Sequence, residues 1–284
     1  MRAPFDGSVS RREIVARIEA HPLGDEPEAM RENFAGLVRG DAGVARRDDG
    51  AAGPLIVHFH GGGYVFGSPE THARLGTHLA AAAGGRVILP RYPLAPERPW
   101  PAALEAARDA VEAAWSDGRP LLLSGDSAGG HLALVTALEL ARRGTRVAGL
   151  VLFSPNTDRT GLSRTRERND PLDPMVDDEG DRRLARLAFG DMPDDHPHVS
   201  PALDDLSLLP PLYIEAGAEE VLLGDSLVLA ERARAAGVDT VLHVEPHGLH
   251  MGQLWAPWWD VAVASLARAG AFARARVAAP GATT

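Results

Sequence analysis

One serine stands where a nucleophile is needed. In Leu121-Leu122-Leu123-Ser124-Gly125-Asp126-Ser127-Ala128-Gly129-Gly130, an apolar, strand-like run meets an Ala/Leu-rich stretch of helical period, and Ser127 falls at the junction. Gly-x-Ser-x-Gly between a strand and a helix is a nucleophile elbow, in which a sharp turn lifts the serine hydroxyl clear of the chain. A β-carbon at Gly125 or Gly129 would crowd the adjoining strand and helix. The helix N-terminus near Ala128 favours negative charge developing beside the serine. The motif alone occurs by chance, but the strand before it and the helix after it make it specific. The chemistry it points to is acyl transfer through a covalent intermediate.

Acyl transfer passes through a tetrahedral oxyanion, which needs donors already in place about 3 Å away. The run His58-Phe59-His60-Gly61-Gly62-Gly63-Tyr64 supplies bare backbone N–H groups at the end of another apolar strand. Gly61 and Gly62 are the expected oxyanion-hole donors, with the Ala128 N–H from the elbow as a third. No Gly-Lys-Ser/Thr follows, so a phosphate-binding loop is excluded. His60 reads as an anchor for this loop and not as a base.

A serine hydroxyl also needs a base and a group to orient that base. Of eleven histidines, His247 and His250 follow the strand candidate Thr240–Glu245. Three carboxylates, Glu219, Glu220 and Asp225, follow the strand candidate Leu212–Ala216. On the residues alone, either histidine and any of the three acids could serve.

The elements that must position these groups are legible as an alternation. Further strand candidates are Leu55–His60, Arg86–Leu89, Leu121–Ser124 and Val147–Phe153. Helix candidates lie at Thr71–Ala83, Ala102–Trp115, Ala128–Arg143, Gly224–Ala236 and Trp258–Val277. Nearly continuous apolar strands separated by helices imply an α/β fold with a mostly parallel central sheet covered on both faces. Residues 46–155 and 206–284 would form this core. Residues 1–45, with a helical pattern at Arg11–Ala20, and residues 156–205, with one at Asp181–Phe189, break the rhythm. They read together as a small helical cap over the carboxyl ends of the strands. Its charged residues, Asp181, Arg182, Arg183, Asp191, Asp194 and Asp195, predict a short polar lid.

Composition narrows the function class. The chain has 284 residues, 45% of them hydrophobic, enough for one large domain and a small appendage. The net charge of −10 and the scattered arginines leave no nucleic-acid footprint. There is no cysteine, which removes thiol nucleophiles, disulfides and thiolate metal sites together. No metal site is expected; His-Glu-x-x-His is missing, and the aspartates are scattered in loops. The N-terminal twenty residues hold no signal-like apolar run, and no stretch reaches the roughly 18 apolar residues of a membrane span. A cytoplasmic protein acting on a small molecule, with no membrane partner, is the expectation. The tail after Val277 reads as frayed, and a homodimer would form near the last strand and helix.

Taken together, His60-Gly61-Gly62-Gly63 and Gly125-Asp126-Ser127-Ala128-Gly129-Gly130 resemble the bacterial hormone-sensitive-lipase family of esterases, within the α/β-hydrolase superfamily. Tyr92-Pro93-Leu94-Ala95-Pro96-Glu97, His196-Pro197-His198-Val199-Ser200-Pro201, Leu209-Pro210-Pro211-Leu212-Tyr213-Ile214 and His250-Met251-Gly252-Gln253-Leu254-Trp255 are similar to further stretches of that family. The likeness runs from about Leu55 to the last helix. Two departures stand out: Pro93 takes the place of an arginine, and the acid is glutamate where aspartate is usual.

The resemblance implies an α/β-hydrolase fold, a lid from the N-terminal segment and the long insert, no cofactor, and hydrolysis of short- to medium-chain acyl esters. The triad order in this superfamily is serine, acid, histidine. The family pattern selects His250 over His247, leaving His247 at the pocket mouth. It selects Glu220 by its register before Leu222, over Glu219 and Asp225. The implied catalytic set is Ser127, Glu220 and His250. A lactone hydrolase or N-acetyl (amide) deacetylase would use the same triad. A non-catalytic receptor of this fold would lack the histidine, and a long-chain lipase would carry a broader apolar lid.

Overall fold

The computed structural model describes residues 4–38 and 53–277. The expected boundary near residue 45 and the tail after Val277 lie outside the described residues. Among the described residues six strands form one sheet: β1 (Leu55–Phe59), β2 (Arg86–Ile88), β3 (Leu121–Asp126), β4 (Gly149–Phe153), β5 (Leu212–Gly217) and β6 (Thr240–Glu245). Their spatial order is β2-β1-β3-β4-β5-β6, and every described pairing is parallel. Each residue of β1, β3, β4 and β5 is buried, as a sheet covered on both faces requires. β6 is an edge strand and only partly buried.

The connecting helices are α3 (Ala73–Ala83), α4 (Ala102–Trp115), α5 (Ala128–Arg142), α8 (Leu223–Ala235) and α9 (Asp260–Val277). α3 packs on α9 and α4 on α5. α5 follows the elbow directly. It is buried from Ala128 to Leu138, which is why its sequence is apolar on every face.

Outside the core, α1 (Arg11–Glu19) starts at Ser10, whose side chain and that of Glu13 form a reciprocal capping box. α2 (Pro27–Val38) has no counterpart among the helices expected from sequence. Its signals are present: Pro27 opens it, and Met30, Phe34, Leu37 and Val38 recur at helical spacing and are buried. The insert after β4 carries α6 (Arg166–Asn169) and α7 (Asp178–Phe189). α7 begins three residues before the expected Asp181, because Asp177 caps it by accepting the Gly180 N–H.

Candidate active site

Ser127 joins β3 to α5 with φ of 53°, a left-handed conformation that costs a non-glycine residue on the order of 1–3 kcal/mol. The surroundings hold it there: its N–H donates to Phe153 O (2.9 Å), and its carbonyl accepts from His131 N (3.1 Å) and Asn156 N (3.3 Å). The flanking glycines are required by close approach. A β-carbon at Gly129 would lie 2.0 Å from Phe59 O, and one at Gly125 would lie 2.2 Å from Gly129 O.

β5 and β6 lie side by side, and the loops beyond their carboxyl ends bring Glu220 and His250 together. His250 Nδ1 is 3.1 Å from Glu220 Oε2. The other oxygen, Oε1, accepts from Gly217 N (2.5 Å) and Ser154 Oγ (2.9 Å). The longer glutamate side chain is thus folded back onto its own loop. His250 is buried, and its Nε2 has no hydrogen-bond partner among the described residues. Burial alone would push the His250 pKa down. The hydrogen bond and charge of Glu220, with Asp173 and Asp126 farther off, outweigh it, so the pKa is raised.

The competing residues are placed elsewhere. Glu219 pairs with Arg11 of α1 at 2.6 Å. Asp225 is fully buried; its Oδ2 accepts from Thr157 N (2.8 Å) and Asp158 N (2.9 Å), and Arg166 lies at 3.3 Å. It is therefore more than a helix-start charge. His247 is exposed and does not line the cleft that holds Ser127, contrary to the expectation that it sits at the pocket mouth.

The glycine loop after β1 rests on a buried polar cluster that the sequence did not reveal. Asp126, between Gly125 and Ser127, meets His58 Nε2 through Oδ1 (3.0 Å) and His72 Nε2 through Oδ2 (3.1 Å). Burial opposes its charge, but the two histidines outweigh that and keep its pKa below the usual carboxylate range. The Gly61 N–H points at His72 Nε2 (3.3 Å), so Gly61, expected as an oxyanion donor, is directed at this cluster. Gly61 is also absent from the cleft lining, whereas Gly62 and Gly63 are part of it. Gly62, at φ of 117°, makes the turn that brings them there. His60 stacks on Tyr92 (4.1 Å between ring centroids), and the Tyr92 hydroxyl donates to His60 O (2.6 Å). This is the anchoring expected of His60.

The cleft has a volume of about 110 Å³. Leu23 and Met30 close it from the N-terminal segment, and Met175, Val176 and Leu184 from the insert. The expected polar lid is therefore only half right. Arg182 and Arg186 of α7 face a larger cavity of about 920 Å³ that includes neither Ser127 nor His250, while Asp181, Arg183 and Leu184 line the cleft that holds the serine. A model of the α/β-hydrolase fold family matches residues 56–253. This chain belongs to that family. An esterase of Acinetobacter venetianus is 35% identical over 228 residues, covering 78% of this chain and 75% of the relative. An acetyl-hydrolase of Streptomyces hygroscopicus is 35% identical over 236 residues, covering 81% and 77%. A crystal structure of an esterase from the bacterial hormone-sensitive-lipase family superposes with a TM-score of 0.86 at 32% identity, covering 94% of this chain and 98% of that one. The protein is an ester hydrolase of this family.

In this esterase buried charge organises the insert and, through Arg166 and Asp225, ties it to the core. Asp181 of α7 lines the cleft and takes Asn156 Nδ2 (2.6 Å), Arg159 Nη1 (3.0 Å) and Arg166 Nη1 (2.7 Å). Arg166 also reaches Asp178 and Asp225. Arg31 of α2 contributes a second tie, donating to Val65 O, Ala95 O and the Glu97 carboxylate. None of these pairs could be found from sequence, since each joins residues of different elements at no regular spacing. Among the described residues, no helix is long and apolar enough to cross a membrane.

Proposed function

We propose that this protein is a carboxylesterase for short- to medium-chain acyl esters, working through Ser127, His250 and Glu220 and an acyl-enzyme. The observation that carries the reading is the state of His250. One ring nitrogen is bonded to a carboxylate, and the other is buried without a partner in a cleft that Ser127 also lines. In the proposed reaction His250 Nε2 takes the Ser127 proton as Oγ attacks the ester carbonyl. Glu220 keeps the proton on Nδ1 in the resting imidazole and stabilises the imidazolium that forms. The N–H groups of Gly62, Gly63 and Ala128 receive the oxyanion, Gly63 replacing Gly61 because the Gly61 N–H faces His72. His250 returns its proton to the leaving alcohol, and water activated by the same nitrogen releases the acid.

The small, mostly apolar cleft favours short acyl chains, and the likeness to an acetyl-hydrolase agrees with the short end. The test is a p-nitrophenyl ester series from acetate to palmitate, with a lactone and an N-acetyl amide alongside. kcat/KM should peak between acetate and roughly octanoate, each fitted methylene contributing about 0.8 kcal/mol. Ser127→Ala should lose at least about three orders of magnitude while remaining folded. A steady rise through palmitate, faster turnover of the lactone or amide, or organophosphate labelling of the Ser127→Ala protein would each refute the proposal.

A further inference from the structure

Thr165, Asn169 and Asp173 recur at four-residue spacing in the insert, on one face of the helical turn around α6. All three side chains bond to the loop that carries Glu220. Thr165 Oγ1 donates to Val221 O (3.1 Å). Asn169 Nδ2 donates to Glu220 O (2.8 Å) and Ala218 O (3.2 Å). Asp173 Oδ2 accepts from Val221 N (3.0 Å), while its Oδ1 accepts from Met175 N (2.9 Å) and Val176 N (3.2 Å). The Asp173 N–H donates to Asn169 O (3.0 Å), which ties the face together. Ala218, Glu220 and Val221 are thus each held by a group from the insert.

We propose that Asn169 and Asp173 are positioning residues for catalysis, and that the insert serves as the scaffold of the acid loop as well as a wall of the cleft. The proposal rests on the reading of Glu220 as the triad acid. Its physical basis is the folded-back glutamate. Glu220 Oε1 accepts the N–H of Gly217 at the end of β5, so the carboxylate keeps both this anchor and His250 only while the loop backbone at Glu220 stays in place. A displacement of about 1 Å in a catalytic group can cost roughly 10²-fold in rate. Asp173 is also close enough for its charge to be felt at His250. Burial pushes the Asp173 carboxyl up to about 6, His250 pulling it down and Glu220 pushing it up.

The groups acting on the His250 charge are Glu220 from the acid loop, Asp173 from the insert and Asp126 from the end of β3. Each raises its pKa, so loss of any one moves the acid limb of the rate profile to lower pH. The experiment compares Asn169→Ala, Asp173→Asn and Glu220→Gln with the parent on p-nitrophenyl butyrate, measuring kcat, KM, the pH profile and Tm. Asn169→Ala and Asp173→Asn should lower kcat about 10- to 100-fold, leave KM within about threefold, and shift the acid limb downward. A purely structural role would lower Tm, leave kcat per folded molecule at the parent's level, and leave the acid limb in place in the uncharged Asn169→Ala. Asp173→Asn moves the acid limb through its lost charge alone, so kcat is its deciding readout if Asn169→Ala does not fold. Unchanged kcat in that variant, with Glu220→Gln inactive, overturns the positioning proposal alone. Parent-like kcat in Glu220→Gln overturns the acid assignment and the proposal with it.

Discussion

Replacing Glu220 by glutamine changes no shape and removes one charge, and the hydrogen bonds around it dictate how the amide must sit. Oε1 sits among two donors, the Gly217 N–H and the Ser154 hydroxyl. The amide oxygen of Gln must take that place, because an NH2 group there would face donors and forfeit two hydrogen bonds. At about 1 kcal/mol for each lost bond, plus about 1–3 kcal/mol for each buried donor left unsatisfied, the inverted orientation is excluded. The NH2 group is therefore aimed at His250 Nδ1, which must give up its proton to accept. The proton moves to Nε2, where the base has to be free. A change of this kind in a comparable triad costs on the order of 10⁴ in kcat, about 5.4 kcal/mol of barrier at 1.36 kcal/mol per decade. The assay is kcat on p-nitrophenyl butyrate for Glu220→Gln and Glu219→Gln, with Tm for both. Glu219→Gln should stay near the parent, because its pair with Arg11 is partly exposed and such pairs contribute about 0–1 kcal/mol. A Glu220→Gln enzyme within tenfold of the parent, or a larger loss at Glu219, would refute the reasoning.

Two further outcomes are expected. The His250 pKa is raised, and the base must be neutral, so kcat/KM should climb with pH through a midpoint above the ordinary histidine value of about 6.5. The same pair stabilises the fold fully below about pH 6.5, and that contribution fades as pH rises through the folded-state pKa. The Tm difference between the parent and His250→Gln should therefore shrink over the range where activity appears; a midpoint below 6, or a growing Tm difference, contradicts this. Asp225→Asn should lower stability by about 3 kcal/mol, near the lower end for breaking a buried ion pair, because Arg166 keeps Asp178 and Asp181. Turnover per folded molecule should change less than tenfold. Denaturant unfolding and kcat together check it, and a stable but inactive protein would point to a role in the chemistry.

What the sequence determined by itself was local and periodic. The elbow at Ser127 is legible because strand, turn and helix follow one another within ten residues, and the turn demands glycine at fixed offsets. The inner strands β1, β3, β4 and β5 are legible because a sheet covered on both faces leaves continuous apolar runs. The tertiary structure decided whatever depends on two distant segments meeting. Which of Glu219, Glu220 and Asp225 faces His250 is a matter of how the loops after β5 and β6 bend toward each other. Which glycine N–H groups face the cleft depends on His72, eleven residues beyond Gly61, and its partner Asp126. The orientation of α7 was hidden for the same reason. Arg182, Arg186 and Leu184 share one short helix, and the Asp181–Arg159–Arg166 contacts help to fix which side is turned to the cleft. Hydrophobic period marks that an element exists, but pairings between buried charges follow no period along the chain.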